Sequence, residues 1–212
     1  MSETSNSSSF ILQVAQIVAD TQAEGPGHRF AVWLQGCPLR CPGCCNPEML
    51  PFSGGHSVGV SELLTQFRHA VEANPHIEGV TLLGGEPFSH PGVEVFAGGV
   101  RDHGGSVMIF TGFTLNELKA RPEAHVQELL AETDLLVDGP YLRDQPDTTR
   151  RWIGSQNQQI HFLTERYHPD SASWDESDTL EIRLQNGQVT VNGFPAPSAV
   201  GVWRRIKPSS ES

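Results

Sequence analysis

Four cysteines fall within nine positions, Cys37 to Cys45, and they are all the cysteine the chain has. A secreted disulfide protein spreads its cysteines to staple distant segments, so a cluster this tight reads as a metal or redox site. Its core is Cys37-Pro-Leu-Arg-Cys41-Pro-Gly-Cys44, or C-x3-C-x2-C. Three thiolates on one short loop can hold three irons of a cubane and leave the fourth open. Electron-transfer clusters use four protein ligands, whereas an open coordination position is what binding and activating a substrate requires. Zinc is the alternative. It asks for a second Cys or His arm, which nine histidines can in principle supply. A simple ferredoxin would need a fourth, distant cysteine. Cys45 follows Cys44 directly, and adjacent side chains diverge. It reads as a packing thiol, with exchange of ligand role with Cys44 left open.

The second constellation is Gly84-Gly85-Glu86-Pro87. Glycines let backbone approach a ligand, and a glutamate accepts hydrogen bonds from an ammonium group. Alone this is a turn. One β-α unit downstream of the cysteine loop, it becomes a second wall of the same site.

The elements that must position these residues follow from periodicity. Phe30–Gln35 reads as a strand leading into the cysteines. Val60, Leu63, Leu64, Phe67 and Val71 share one helical face. Gly79–Leu83 is a buried strand ending at Gly84-Gly85, followed by a Gly-broken helix from about His90 to Asp102. Ser106–Phe110 is the next strand. Thr114 and Glu117 form a capping box, Pro122 breaks that helix, and Val126, Leu129 and Leu130 resume an apolar face. Asp134–Val137 is a fourth strand and Gln159–Leu163 a fifth. Strand–helix alternation implies parallel strands with ligands at their carboxyl ends. Thr111-Gly112 and Asp138-Gly139 stand at such ends, as the cysteines and Gly84–Pro87 do. A full eight-unit barrel needs about 250 residues. With 212 residues, an α/β fold built as an open partial (β/α) barrel is expected. Beyond residue 164, Leu180–Leu184 and Val189–Val191 flank Asn186-Gly187, a hairpin signal. The expected organisation is a polar, disordered tail over 1–9, a main domain over 10–163, a β-hairpin appendage over 164–206 and a disordered tail over 207–212.

The net charge of −11 argues against nucleic acid, which needs clustered Lys and Arg. No run of 18 apolar residues and no signal-like start argue against a membrane and for a cytoplasmic protein.

Taken together, these segments resemble the radical S-adenosylmethionine (SAM) superfamily. More narrowly, they resemble glycyl-radical-enzyme activases of the anaerobic ribonucleoside-triphosphate reductase activating type. The resemblance rests on Glu24-Gly-Pro-Gly-His-Arg29, Leu34-Gln-Gly-Cys37, Cys41-Pro-Gly-Cys44-Cys-Asn46-Pro, Leu83–Pro87, Phe110–Leu118, Leu136–Gly139 and Gly154–Gln158. It covers about Phe10 to Leu163. Cys45, Pro140 and Ile153 depart from the family pattern, and the tail beyond about Arg166 exceeds the compact members.

The resemblance implies a [4Fe–4S] cluster on Cys37, Cys41 and Cys44. It implies SAM held at its amino end by Gly84, Gly85, Glu86 and Pro87, with Thr111, Asp138 and Asn46 as further cofactor-side groups. Ser155, Asn157 and Gln158 either shape the pocket or hold loops. Arg29 pairs with a carboxylate, either at the site or in a structural salt bridge, and His28 is expected near the site. The implied partners are a glycyl radical enzyme, the anaerobic ribonucleotide reductase, and a flavodoxin or ferredoxin-type electron donor. Two alternatives stay open: a radical-SAM enzyme for another peptide or small molecule, and a non-catalytic zinc or Fe–S module.

Overall fold

The run His28–Leu34 is buried almost throughout because it becomes an inner strand, β2, covered on both faces. The computed structural model of the chain describes residues 10–185 and 188–194. The expected tails, 1–9 and 207–212, together with Asn186-Gly187 and residues 195–206 of the expected appendage, lie outside them.

Around β2 stands a seven-stranded open sheet. In chain order its strands are β1 (Ile11–Thr21), β2, β3 (His56–Gly59), β4 (Ile77–Gly84), β5 (Ser106–Phe110), β6 (Leu135–Asp138) and β7 (Gln159–Phe162). Their spatial order is β3-β1-β2-β4-β5-β6-β7. The four central strands, β2, β4, β5 and β6, are parallel as expected. The flanks are not. β1 runs antiparallel to β2, β3 to β1, and β7 to β6. For β7 this corrects the parallel expectation: residues 139–158 form no crossover helix, so the chain turns back beside β6.

Four helices supply the crossovers: α1 (Val60–Ala73), α2 (Val93–Asp102), α3 (Leu115–Ala120) and α4 (Ala124–Glu132). On α1, Val60, Leu63, Phe67 and Ala70 are buried, close to the face read from the sequence. The capping box is present: Thr114 accepts from the Glu117 N–H while the Glu117 side chain accepts from the Thr114 N–H. α3 stops before Pro122, and α4 starts two residues after it.

The helices cover one face of the sheet, where Phe30, Val32, Phe67, Val80, Phe96 and Ile109 share one core. The other face carries two smaller groups. Ala31, Trp33, Leu83 and Met49 form one, and Met108, Leu135, Val137 and Ile153 the other, with Phe110 packed against both. Beyond the sheet, β8 (Leu180–Gln185) and β9 (Gln188–Gly193) pair antiparallel, as the hairpin signal predicts. Among the described residues no helix is long and apolar enough to cross a membrane.

Candidate active site

The cysteine loop leaves the carboxyl end of β2 and is closed at its base by backbone bonds. The Gly36 N–H donates to the Met49 carbonyl at 2.9 Å and the Cys37 N–H to the Leu50 carbonyl at 3.0 Å. Gln35 reinforces the closure, its Nε2 donating to the Glu48 and Pro51 carbonyls at 3.0 and 2.7 Å. The base of the loop is therefore closed by the protein's own bonds. Arg40, within it, sits at φ 50°, a region costly for a side-chain-bearing residue and typical of functional loops.

Cys37 is buried, Cys41 and Cys44 are half-buried, and Cys45 is exposed. Burial pushes the Cys37 thiol up, against the opposing pull of the Arg40 and Leu39 backbone N–H groups. The Asn46 N–H lies 3.4 Å from the Cys44 sulfur. Such N–H groups stabilise sulfur in its thiolate form. Among the described residues no three His, Cys, Asp or Glu side chains converge on the place of a single ion. A cubane does not ask for that convergence, since each thiolate takes its own iron. Three thiols on one amide-rich loop fit it.

Gly84-Gly85-Glu86 meets this loop directly. The Gly85 N–H donates to the Leu34 carbonyl at 2.8 Å, and the Glu86 N–H to the Gly36 carbonyl at 3.0 Å. Side chains are excluded here. A Cβ on Gly84, whose φ is 98°, would stand 2.7 Å from the Leu34 nitrogen, and one on Gly85 2.3 Å from the Gly36 carbonyl oxygen. The two glycines are thus required by the approach of β4 to the cysteine loop.

Glu86 is 1 % exposed, and its carboxylate is largely engaged by the protein. Oε1 accepts from Thr111 Oγ1 at 2.8 Å and from the Phe88 N–H at 3.1 Å, and Oε2 from the Gly112 N–H at 2.9 Å. Burial raises its pKa to about 7, against these donors. Three of about four acceptor positions are filled, so Glu86 and Thr111 clamp the end of β4 to the end of β5. Pro87 opens the short 3-10 turn that follows. Leu39 leans over Gly112 and Arg143 over Gly43, so the loop also touches β5 and the segment after β6.

Asp138, at the carboxyl end of β6, is buried and accepts from the Leu115 N–H at 2.6 Å at the start of α3. His161 Nε2 lies 3.0 Å from the same oxygen, but off the angle of a hydrogen bond. Asn46 precedes the 3-10 turn Pro47–Met49, and its carbonyl accepts from the Met49 N–H at 3.0 Å.

Ser155 and Gln158 serve the neighbouring loop. Ser155 Oγ accepts from Leu142 N–H, while Gln158 Nε2 donates to the Gly139 carbonyl and its Oε1 accepts from Gly154 and Ser155 N–H. Asn157 Nδ2 donates to the Pro140 carbonyl at 2.8 Å. His90 was not singled out by sequence. Its Nε2 bonds the Gly36 carbonyl at 3.0 Å, and burial lowers its pKa. Its position four residues after Glu86 was the available signal.

Two expectations are overturned. His28 and Arg29 open β2, whereas the cysteines follow its other end, so they stand at the opposite, amino end of the parallel strands. His28 pairs with Asp20 at 2.7 Å. Arg29 is fully buried and, among the described residues, pairs with no carboxylate. It donates to Thr81, Ser106, Tyr167 and the Val80 carbonyl. A groove of about 620 Å³ between α1, α2 and α4 also lies away from the cysteine loop, on the outer helix layer.

Residues 23–161 match the family described as "4Fe-4S single cluster domain". The anaerobic ribonucleoside-triphosphate reductase-activating protein of Salmonella typhimurium is 31 % identical over 144 residues, 66 % of this chain and 91 % of that protein. Its Vibrio cholerae counterpart is 32 % identical over 148 residues, with the same coverages. The chain belongs to this activating-protein family. Its cysteine loop, its Gly-Gly-Glu-Pro and its Asp138 all lie inside the matched 4Fe-4S single cluster domain. QueE from Escherichia coli, at 19 % identity and a TM-score of 0.40, covers 52 % of this chain and 59 % of its own, a likeness too slight to bear on the fold.

Proposed function

We propose that the chain is a radical-SAM activase that installs a glycyl radical on an anaerobic (class III) ribonucleotide reductase. Cys37, Cys41 and Cys44 hold a [4Fe–4S] cluster, and Gly84, Gly85, Glu86 and Pro87 hold the amino end of SAM. Thr111, Asp138 and Asn46 complete the cofactor side. When bound, the cluster and SAM together supply reductive cleavage of the sulfonium, giving methionine and a 5′-deoxyadenosyl radical that takes hydrogen from a backbone glycine.

The protein's own part is placement and exclusion. The pair of backbone bonds from Gly85 and Glu86 to Leu34 and Gly36 carries this reading. It keeps the SAM-side glycines in register with the strand that delivers Cys37. Glu86 and Thr111 hold that register from behind, and the clamp on Gly112 N–H prevents β5 from drifting away. Leu39 over Gly112 keeps water from the gap between the loop and β5.

In the same proposal the sheet curves as an open partial (β/α) barrel, residues 10–163 form the radical-SAM domain and 164–206 a hairpin extension. The electron comes from a flavodoxin or ferredoxin-type donor. The protein works in the cytoplasm, on neither nucleic acid nor membrane.

Anaerobic reconstitution with iron and sulfide, then dithionite and SAM, tests the reading. 5′-Deoxyadenosine should form, and adding the reductase should give a glycyl-radical EPR doublet. C37A, C41A and C44A should each abolish SAM cleavage, while C45A retains most of it. Absence of 5′-deoxyadenosine from the wild type refutes the activase. Cleavage without a doublet on the reductase moves the substrate to another peptide or small molecule.

A further inference from the structure

About a third of this chain lies outside its match to relatives that it spans over 91 % of their length, and the family match ends at residue 161. The hairpin β8–β9 belongs to that surplus, and it is mounted inside out. Strand alternation puts Glu181, Arg183 and Asn192 on one face and Ile182, Leu184 and Val189 on the other. The polar face is the one turned to the body. Glu181 accepts from Thr21 Oγ1 at 2.7 Å and from the Gln22 N–H at 2.8 Å. Asn192, 2 % exposed, donates to Thr21 at 2.9 Å and to Glu24 at 3.3 Å. Arg183 donates to the Asp20 carbonyl at 2.7 Å. The apolar face is exposed, at 53 % for Ile182, 72 % for Leu184 and 53 % for Val189.

Apolar contact between these side chains and the body therefore does not hold the hairpin. Directional bonds do, and directional bonds fix a position. What they fix is the end of β9. Gly193 has φ 106°, and a Cβ there would stand 2.1 Å from the Thr179 carbonyl oxygen and 2.8 Å from Ala23 Cβ. The next residue, Phe194, donates its N–H to that same carbonyl at 3.1 Å. Its ring lies 5.8 Å from the ring of Phe110, centroid to centroid. Phe110 ends β5 and touches both apolar groups of the helix-free face, one of which includes Met49 of the cysteine loop. It directly precedes Thr111 and Gly112, two of the three donors to Glu86 among the described residues.

We propose that the latched extension is a wall of the substrate site and that Phe194 is a specificity-determining residue, narrowing the approach over Phe110. The proposal rests on the activase reading. A radical formed beside the cysteine loop must reach a glycine on another protein, and the helix-free face is the side the helices leave uncovered. A ring on Phe110 fills space that a bulky segment would need, while main chain bearing only a glycine needs little. The extension thereby selects the segment presented to the radical, a device the compact relatives lack.

The test uses the full chain with F194A and N192A, the second releasing the latch, beside F194Y and the outward-facing L184S. The first readout is glycyl radical formed per 5′-deoxyadenosine with the reductase. It should fall about fivefold in F194A and N192A, through misplaced substrate, and stay near wild type in F194Y and L184S. The second is hydrogen exchange in cluster-free protein. Peptides covering Phe110–Thr114 should exchange faster in F194A and N192A only. An unchanged ratio in F194A overturns the proposal, as does an equal fall in all four variants. If the wild type forms no 5′-deoxyadenosine, the activase reading fails by itself. Exchange then decides the wall: faster exchange confined to F194A and N192A supports it, and unchanged exchange refutes it.

Discussion

Replacing Glu24 with glutamine should change how stability depends on pH, and the structure sets the size of the effect. Glu24 is 3 % exposed, in the turn between β1 and β2 beneath the hairpin. Burial raises its pKa from 4.5 to about 8, Asn192 and the Gly193 N–H pull it back, Glu181 adds to the rise and Arg183 opposes it. Below 4.5 the carboxyl is protonated in both native and unfolded chains and costs nothing. Between 4.5 and 8 the unfolded chain has released the proton while the native one keeps it. Native stability then falls by up to about 1.4 kcal/mol per pH unit. The cumulative penalty is about 3 kcal/mol at pH 7 and at most about 5 kcal/mol above pH 8. Glutamine keeps the shape and the oxygen that accepts from Asn192, but carries no proton to lose. The charges that act on it, Glu181 and Arg183, are present in both proteins. Urea unfolding of cluster-free wild type and E24Q, from pH 5 to 9 without oxygen, reads that difference. E24Q should gain on the wild type steadily from pH 5 to about 8 and then level off. A difference constant across that window refutes the argument.

R29A should lower unfolding free energy by about 3–5 kcal/mol, because it leaves a cavity and takes a buried donor from Thr81 and the Val80 carbonyl. Denaturant midpoints check it, and R29K should not restore the loss, since an ammonium cannot reproduce the fork. T111V keeps the side-chain volume but removes the 2.8 Å bond to buried Glu86 and an acceptor for the Phe113 N–H. It should cost about 1–3 kcal/mol in urea unfolding. T114A removes the cap of α3 and should cost about 1 kcal/mol by the same measurement, an effect T114S should largely spare.

The parts of the fold legible in the sequence are those with strong local chemistry. Thr114 and Glu117 announce a helix start, and Gly84-Gly85 marks the strand end where backbone meets backbone. β1 escaped because its alternation is broken. Its register slips between Val14 and Gln16 and again between Val18 and Thr21, so no clean period of two runs through it. β3 is four residues, His-Ser-Val-Gly, with too little β-propensity to stand out. The misplacing of His28 and Arg29 has a different cause. The family resemblance implied a place at the site, but the six steps along a seven-residue strand put about 20 Å between its ends. Glu86 was read as a ligand-facing acceptor, and nothing in Gly-Gly-Glu-Pro indicates that Thr111 and Gly112, a whole β-α unit later, each bond one of its oxygens.

The buried guanidinium of Arg29 has one partner from outside the family match: Tyr167, whose hydroxyl accepts at 3.0 Å and also meets Ser106 at 2.8 Å. The limit of shared ancestry and the limit of an independently folding fragment therefore do not coincide. A chain cut at residue 161 would retain every cysteine and glycine of the site, yet would open a polar hole beneath β2, β4 and β5. Anyone trimming this protein to its common denominator would remove a piece of its foundation.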